Sequence, residues 1–148
     1  MTADSFSLHF LLHAAALVEE QLRERLNVIG LGPRQARIIQ ALSQMEPASQ
    51  VSLAREFGIT PASMSTMTVR LIEAGFISRE PHPDEARSNL LRLTERGRGL
   101  VSDIHVAWRD IDTLIAERLG AENAATLSRL TRELREGLGG RVPGGRAP

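Results

Sequence analysis

The chain has 148 residues, 42% of them hydrophobic, and its 18 basic and 18 acidic residues give a net charge of zero. This length and apolar content predict one compact folded unit and exclude wholesale disorder. Because cysteine is absent, the sequence excludes a disulfide framework, a thiolate zinc site and a thiol redox switch. No secretory leader pattern is found, and no apolar run reaches the ~18 residues of a membrane span, so we expect a cytoplasmic protein with no membrane partner.

The first predicted element is a helix over residues 5–29, in which apolar residues recur at steps of three and four. Its apolar surface covers more than one side, since Phe6, Phe10, Ala14 and Leu17 lie outside the main stripe. A helix that is apolar on several sides is buried on several sides. The pattern therefore predicts that this helix belongs to an interface between copies of the chain.

The next two elements are also helices. One is predicted from Pro33 to Met45, because proline suits the first position of a helix. A loop at Pro47 and Ser49 separates it from a short helix over residues 53–57. Four hydrophobic side chains of the longer helix are predicted to face the core: Ala36, Ile39, Leu42 and Met45.

A helix-turn-helix arrangement follows from the residues around Gly58. Ser52 is the predicted N-cap of the short helix, and Gly58 ends it. Thr60 is the predicted N-cap of the next helix, which runs from Pro61 to about Ala74. Two helices joined by such a tight turn form the helix-turn-helix motif.

The rest of the chain is predicted to contain a hairpin and two helices. The predicted elements are strands over residues 76–79 and 90–93, a long helix capped by Thr94, a helix over residues 121–138 and a flexible tail over residues 139–148. Together with the N-terminal elements they predict a mainly α fold with a small β component.

The second helix of the motif carries a polar face that is informative about function. Four of its residues, Ser63, Ser65, Thr66 and Arg70, lie opposite the apolar side. A face that meets only solvent would more often carry stronger helix formers than serine and threonine. Hydroxyls and a guanidinium can instead contact phosphates and base edges of DNA. From this helix alone, a DNA-binding face and a solvated face both remain open.

The hairpin favours the DNA interpretation, because Arg87 at its tip is suited to a minor groove. Ser52 and Arg55 of the short helix are further candidates for contacts with the phosphate backbone. The candidate DNA-binding residues are thus Ser52, Arg55, Ser63, Ser65, Thr66, Arg70 and Arg87.

Three segments of the chain, residues 53–61, 69–79 and 87–97, resemble the multiple-antibiotic-resistance regulator (MarR) family of winged-helix proteins. The most specific is Leu-Thr-Glu-Arg-Gly at residues 93–97, which reproduces the Leu-Thr-Glu-x-Gly start of a family helix. The resemblance covers nearly the whole chain and implies a single domain over residues 1–148. Its implied parts are a winged helix-turn-helix DNA-binding region over residues 33–97 and dimerisation helices over residues 5–29 and 100–138.

The resemblance also implies a function. Family members are homodimers that bind pseudo-palindromic double-stranded DNA, and many are repressors released by a small aromatic effector. This chain departs from the family at two cationic positions. Ala86 replaces the first arginine of the usual Asp-Arg-Arg wing sequence, and Thr66 stands where an arginine is frequent. Two fewer cations per subunit predict a shallower salt dependence of DNA binding.

Histidines and the single tryptophan raise two further possibilities. His9 and His13 are four residues apart, a spacing that can hold a metal ion, so a metal-responsive regulator is one alternative. No further ligand completes that site in the sequence, and we predict no metal. The candidate effector-pocket residues are His9, His13, His105 and Trp108, although for Trp108 a core or interface role is slightly favoured over a pocket role.

An enzyme is not predicted, because the sequence contains no phosphate-binding glycine loop and no nucleophile elbow, and no cofactor is predicted. The remaining alternative is a winged-helix module that binds proteins without binding DNA, since a fold does not fix a function.

Overall fold

The structure, a computed structural model, describes residues 2, 5–85 and 88–143. In these residues the helices are α1 (Ser7–Asn27), α2 (Pro33–Met45), α3 (Gln50–Phe57), α4 (Pro61–Glu73), α5 (Glu95–Leu119) and α6 (Ala121–Gly137). The strands are β1 (Ala48–Ser49), β2 (Ile77–Pro81) and β3 (Asn89–Leu93). The predicted mainly α class with a small β component is confirmed.

One cluster of buried side chains holds the middle of the chain together. Helix α2 lies at its centre and packs against α1, α5 and β3. Fully buried members of this cluster come from seven elements: Leu26, Ile38, Ile39, Leu42, Leu53, Met64, Leu71, Ile77, Leu91 and Ile104. Helix α5 therefore shares one core with the helices α2 to α4.

The sheet has three antiparallel strands in the order β1-β3-β2. In the β2–β3 hairpin, Ile77 lies opposite Leu93 and Pro81 lies opposite Asn89. Strand β1 was not predicted, because two residues are too short to show the alternation that identifies a strand. Residues 86 and 87, which include the predicted wing contact Arg87, lie outside the described residues.

The predicted start of α3 is wrong. The helix begins at Gln50, and its N-cap is Ser49, whose hydroxyl accepts a hydrogen bond from the Ser52 backbone N–H at 3.0 Å. Both serines have the chemistry of an N-cap. Pairing of Ser49 with Leu90 of β3 holds Ser49 extended, which places the cap three residues earlier than predicted.

The predicted boundaries of α4 are confirmed. The Thr60 hydroxyl accepts a hydrogen bond from the Ser63 N–H at 3.1 Å, and Pro61 is the first helical residue. Gly58 ends α3 in the left-handed region with φ of 63°, a conformation that glycine adopts without steric cost. The two helices of the motif are therefore joined as predicted.

The β2–β3 hairpin, which is the wing, packs closely against the start of α5. The Thr94 hydroxyl donates to the Gly75 carbonyl oxygen at 2.7 Å and accepts from the Gly97 N–H at 3.0 Å. The Gly97 backbone packs directly on Phe76, so that a Cβ atom at Gly97 would lie 2.0 Å from the Phe76 carbonyl oxygen. The Arg96 guanidinium lies over the Phe76 ring, 5.1 Å from its centre. The segment 93–97 is therefore built as a close contact between the wing and α5.

Candidate nucleic-acid interface

The outer face of α4 gathers the predicted major-groove residues on one surface. Ser63, Thr66 and Arg70 are exposed and Ser65 is half-buried, while the opposite face of the helix is buried in the core. A shallow groove runs along this surface and is lined by Ala62, Ser65, Thr66, Val69, Arg70 and Glu73. The surface offers hydroxyls, one guanidinium and, at its end, the Glu73 carboxylate around the small apolar side chains of an alanine and a valine.

Hydrogen bonds define what this face can offer to a ligand. The Ser63 hydroxyl oxygen accepts from the Thr60 hydroxyl at 3.0 Å, and the Thr66 hydroxyl donates to the Ala62 carbonyl oxygen at 3.2 Å. The Thr66 oxygen therefore retains acceptor capacity, and the Ser63 hydroxyl retains its proton for donation. In the described part of the chain, Arg70 makes no hydrogen bond or ion pair, which leaves its five N–H donors for an external acceptor.

Ser52 and Arg55 lie on α3, the helix that precedes α4. Ser52 is half-buried, and its backbone N–H is used in the helix cap. Arg55 is exposed in the last turn of α3. The structure places both residues within the helix-turn-helix, and among the described residues no hydrogen bond or ion pair joins them to the polar face of α4.

The wing carries a cation that sequence reasoning did not select. Arg79 is exposed on β2 and forms no ion pair with any described residue. On β3, Arg92 is instead paired with Glu80 at 2.7 Å. All residues of β2 after Ile77 are exposed, so the burial pattern does not single out Arg79, and its charge on a predicted strand was the only signal for it.

A second unpredicted feature is the carboxylate of Glu46, which ties the base of the wing to α5. One of its oxygens accepts from the Leu93 N–H at 2.7 Å, and the other pairs with the Arg98 guanidinium. Arg98 also donates to the Leu93 carbonyl oxygen at 3.1 Å. Since Glu46 and Arg98 are separated by 52 positions, no local pattern identifies this contact.

Two of the four candidate pocket residues lie together between α2 and α5. The His105 Nε2 atom lies 2.6 Å from Gln40 Oε1, and the His105 and Trp108 ring centres are 5.8 Å apart. Trp108 also packs against the core cluster. A cavity of about 270 Å³ adjoins it, lined by Arg37, Gln40, Gln44, Trp108, Val142 and Pro143. The lining combines an indole, a guanidinium and two amides.

The other two candidates, His9 and His13, lie on α1 and line neither this cavity nor the groove described below. The His9 ring packs edge-on against Phe6, with ring centres 6.2 Å apart. Across the described residues, no three His, Asp or Glu side chains come together as a metal site would require. The metal-responsive alternative is therefore not favoured.

Helices α1 and α6 expose an extensive apolar surface. On α1 the exposed fractions include 54% for Leu8, 63% for Phe10 and 60% for Leu12, and on α6 they are 48% for Leu130 and 47% for Leu134. An apolar groove of about 450 Å³ runs between α1, α5 and α6, and its lining includes Leu11, Val18, Ile115 and Leu127. Contiguous exposed apolar surface on this scale is typical of a protein–protein interface.

None of the helices in the described ranges combines the length and hydropathy needed to cross a lipid bilayer.

Comparison with known proteins agrees with this architecture. A sequence model of the MarR family matches residues 31–88. The HTH-type transcriptional repressor Rv2887 of Mycobacterium tuberculosis is 29% identical over 133 residues, which cover 89% of this chain and 96% of that protein. An HTH-type transcriptional regulator of Mycobacterium bovis, Mb0904, is 30% identical over 121 residues, which cover 82% of this chain and 79% of that protein.

A solved structure also superposes on the chain. The crystal structure of Mycobacterium tuberculosis Rv2887 in complex with DNA has a TM-score of 0.73 and 26% sequence identity, and the match covers 87% of this chain and 97% of that chain. The relatives are transcriptional regulators, which confirms the prediction that the chain is not an enzyme. The chain belongs to the MarR family of winged helix-turn-helix transcriptional regulators.

Proposed function

We propose that the chain is a homodimeric repressor of transcription that binds an inverted repeat in double-stranded DNA and is released by a small aromatic effector. The observation that carries the proposal is the outer face of α4, where hydroxyls surround an arginine that has no partner among the described residues. The DNA complex of Rv2887, a protein of the same fold, supports the same assignment.

The proposed DNA-binding region is residues 33–97, with α4 in the major groove. Ser63, Ser65 and Thr66 are assigned to phosphates and base edges, and Arg70 to a guanine or a phosphate. Three further residues complete the proposed contacts: Ser52 and Arg55 at the phosphate backbone and Arg87 in the minor groove. Binding to a chromosomal operator agrees with the cytoplasmic location that the sequence predicts.

The proposed dimer is formed by residues 5–29 and 100–138, whose exposed leucines and phenylalanines need a partner. A two-fold axis would bury the same surface of both protomers and place the two α4 helices in successive major grooves. The operator is then an inverted repeat whose half-sites are about one helical turn apart.

The proposed effector site is the cavity beside Trp108. Its indole can stack on a planar ring, and the Arg37 guanidinium can pair with an anionic substituent. Gln40 and Gln44 add amide groups that fix the orientation of a polar ligand. Because α2 and α5 both line the cavity, a bound ligand can shift the winged regions relative to the dimer helices and favour a spacing that does not fit the operator.

The test of this function is a selection from genomic DNA of the source organism. The purified full chain is mixed with sheared DNA at about 0.15 M salt, and the retained fragments are sequenced. We expect one inverted repeat to be enriched. If a folded, dimeric preparation retains no preferred sequence, the protein-binding module without DNA recognition is the better interpretation.

Arg70→Ala is expected to weaken binding to the selected operator by about 30-fold, because the dimer loses two contacts worth ~1 kcal/mol each. Fluorescence anisotropy with labelled operator, at one fixed salt concentration, measures the change. If Arg70 contacts phosphates, the plot of log affinity against log salt concentration also becomes shallower, and its slope decreases in magnitude by about 2 per dimer.

The matched control for this change is Arg129→Ala. Arg129 carries the same charge but lies on α6, where it is exposed and paired with Glu133 at 3.0 Å. Provided that sedimentation velocity shows the variant to be a dimer, its loss should change operator affinity by less than about twofold. Unchanged affinity of Arg70→Ala would contradict the placement of α4 in the major groove.

Arg87→Ala is expected to weaken operator binding by about tenfold without unfolding the protein, because one minor-groove cation is lost from each wing. Anisotropy gives the affinity, and circular dichroism gives the thermal midpoint. Equal affinity of the variant and the unaltered chain at matched salt would show that the wing assignment is wrong.

A further inference from the structure

The segment that follows α6, residues 138–143, folds back onto the winged region and is named the C-terminal strap. It makes two separate contacts. The Arg141 guanidinium pairs with Glu56 of α3 at 3.1 Å, and Val142 and Pro143 line the cavity beside Trp108. The strap therefore touches the helix-turn-helix and the proposed effector cavity at the same time.

The turn at the end of α6 sets the direction of the strap. Gly139 adopts the left-handed region with φ of 83°, and the Gly140 N–H donates to the Arg135 carbonyl oxygen at 2.8 Å. Such an arrangement terminates a helix and reverses the chain. The hydrogen bonds that terminate α6 involve no residue after Gly140. Residues 141–143 are therefore available for contacts with the winged region.

We propose that the C-terminal strap is a built-in cover of the cavity, which must open to admit a ligand and which thereby couples the cavity to α3. The identity of the ligand rests on the proposed function, but closure of the cavity by the strap does not. Val142 and Pro143 supply apolar lining to the same cavity that the Trp108 indole lines.

The contacts that hold the strap are weak enough for a cover that opens. The side chains of its ion pair are 56% exposed for Arg141 and 21% exposed for Glu56, and Val142 is 50% exposed. Ion pairs with this much solvent contact stabilise little and are screened by salt. Displacing the strap removes the Arg141 contact from α3, so a ligand in the cavity is sensed in the helix-turn-helix.

The test uses Trp108, the single tryptophan of the chain, as a fluorescent reporter of the cavity. Three purified proteins are compared for quenching of its emission by acrylamide: the full chain, a chain ending at Gly140 and a chain ending at Pro143. The chain ending at Gly140 keeps the bonds that terminate α6 but lacks Arg141, Val142 and Pro143. The chain ending at Pro143 is the matched control, because it lacks only residues 144–148.

We expect the quenching constant to rise about twofold in the chain ending at Gly140 and to stay unchanged in the control, since loss of a weak cover exposes the indole. Arg141→Gln should give an intermediate value. Raising sodium chloride from about 0.05 to about 0.5 M should increase quenching of the full chain but not of the shortened one. Equal quenching of the full chain and the chain ending at Gly140 would overturn the proposal, and an unchanged Arg141→Gln would overturn the role of the ion pair.

Benzoate, a planar aromatic anion, tests the cover by calorimetry. We expect the chain ending at Gly140 to bind it about threefold more tightly than the chain ending at Pro143, because no free energy is spent on opening the strap. Equal affinities would show that the strap does not have to open for binding and would overturn the proposal. Binding to neither chain would contradict the effector class of the proposed function, while the quenching result would still decide whether the strap closes the cavity.

Discussion

Replacing Gly97 by alanine is expected to destabilise the protein by about 3 kcal/mol, because the new Cβ has no space. It would lie 2.0 Å from the Phe76 carbonyl oxygen and 2.9 Å from the Phe76 carbonyl carbon. These are backbone atoms at the start of the wing, so neither a rotamer change nor a flexible side chain can relieve the contact. The junction must open, and the hydrogen bonds of Thr94 to Gly75 and Gly97 are strained with it.

Gly99→Ala is the matched control for this prediction. Gly99 lies two residues further along α5, and a Cβ atom there meets nothing within 4 Å. Because alanine is the better helix former, this variant should be more stable by about 0.5 kcal/mol. Urea unfolding followed by circular dichroism, at one protein concentration for all variants, measures both changes. Equal stability of the two variants would mean that the wing and α5 are not in close contact.

The double substitution Leu8→Glu and Leu12→Glu is expected to convert the dimer to a monomer. The two leucines are four residues apart on one face of α1, and they are 54% and 60% exposed in the single chain. Each leucine buried at an interface contributes about 2 kcal/mol, and a buried carboxylate adds a desolvation cost. Sedimentation velocity should give the mass of one chain, 16.2 kDa, instead of twice that mass.

Loss of the dimer should also weaken operator binding by more than about 100-fold, because the two half-sites are no longer bound by linked copies. Val51→Glu is the control for dimerisation, since Val51 is 50% exposed but lies on α3, away from the terminal helices. It should sediment as a dimer. A dimer of the doubly substituted protein would place the interface elsewhere.

The order of the main elements could be predicted because it depends on interactions within a few residues. Thr60 and Thr94 cap the helices that follow them, and Gly58 supplies the left-handed turn. The same local rules placed Ser63, Thr66 and Arg70 together on one face of α4, because residues three and four apart share a helix face. The polar surface proposed for DNA contact was therefore recognisable before the fold was known.

Rules that depend only on neighbouring residues cannot choose between two residues that both satisfy them. Ser49 and Ser52 are both suitable caps, and the pairing of β1 with β3 selects Ser49. In the same way, the spacing of His9 and His13 is compatible with a metal site, but a third ligand has to come from another element. Within the described residues none does.

The sequence by itself determined the helix-turn-helix, the hairpin and the long helix after it, and it indicated that the terminal helices have more apolar surface than one chain can bury. Only the tertiary structure decided which distant residues meet: Glu46 with Arg98, His105 with Gln40, and Arg141 with Glu56. The physical reason is how far apart along the chain the interacting residues lie. Caps, turns and helix faces depend on neighbours along the chain, whereas these contacts join residues 52 to 85 positions apart and exist only because α2 and α3 pack in one arrangement against α5 and the C-terminal strap.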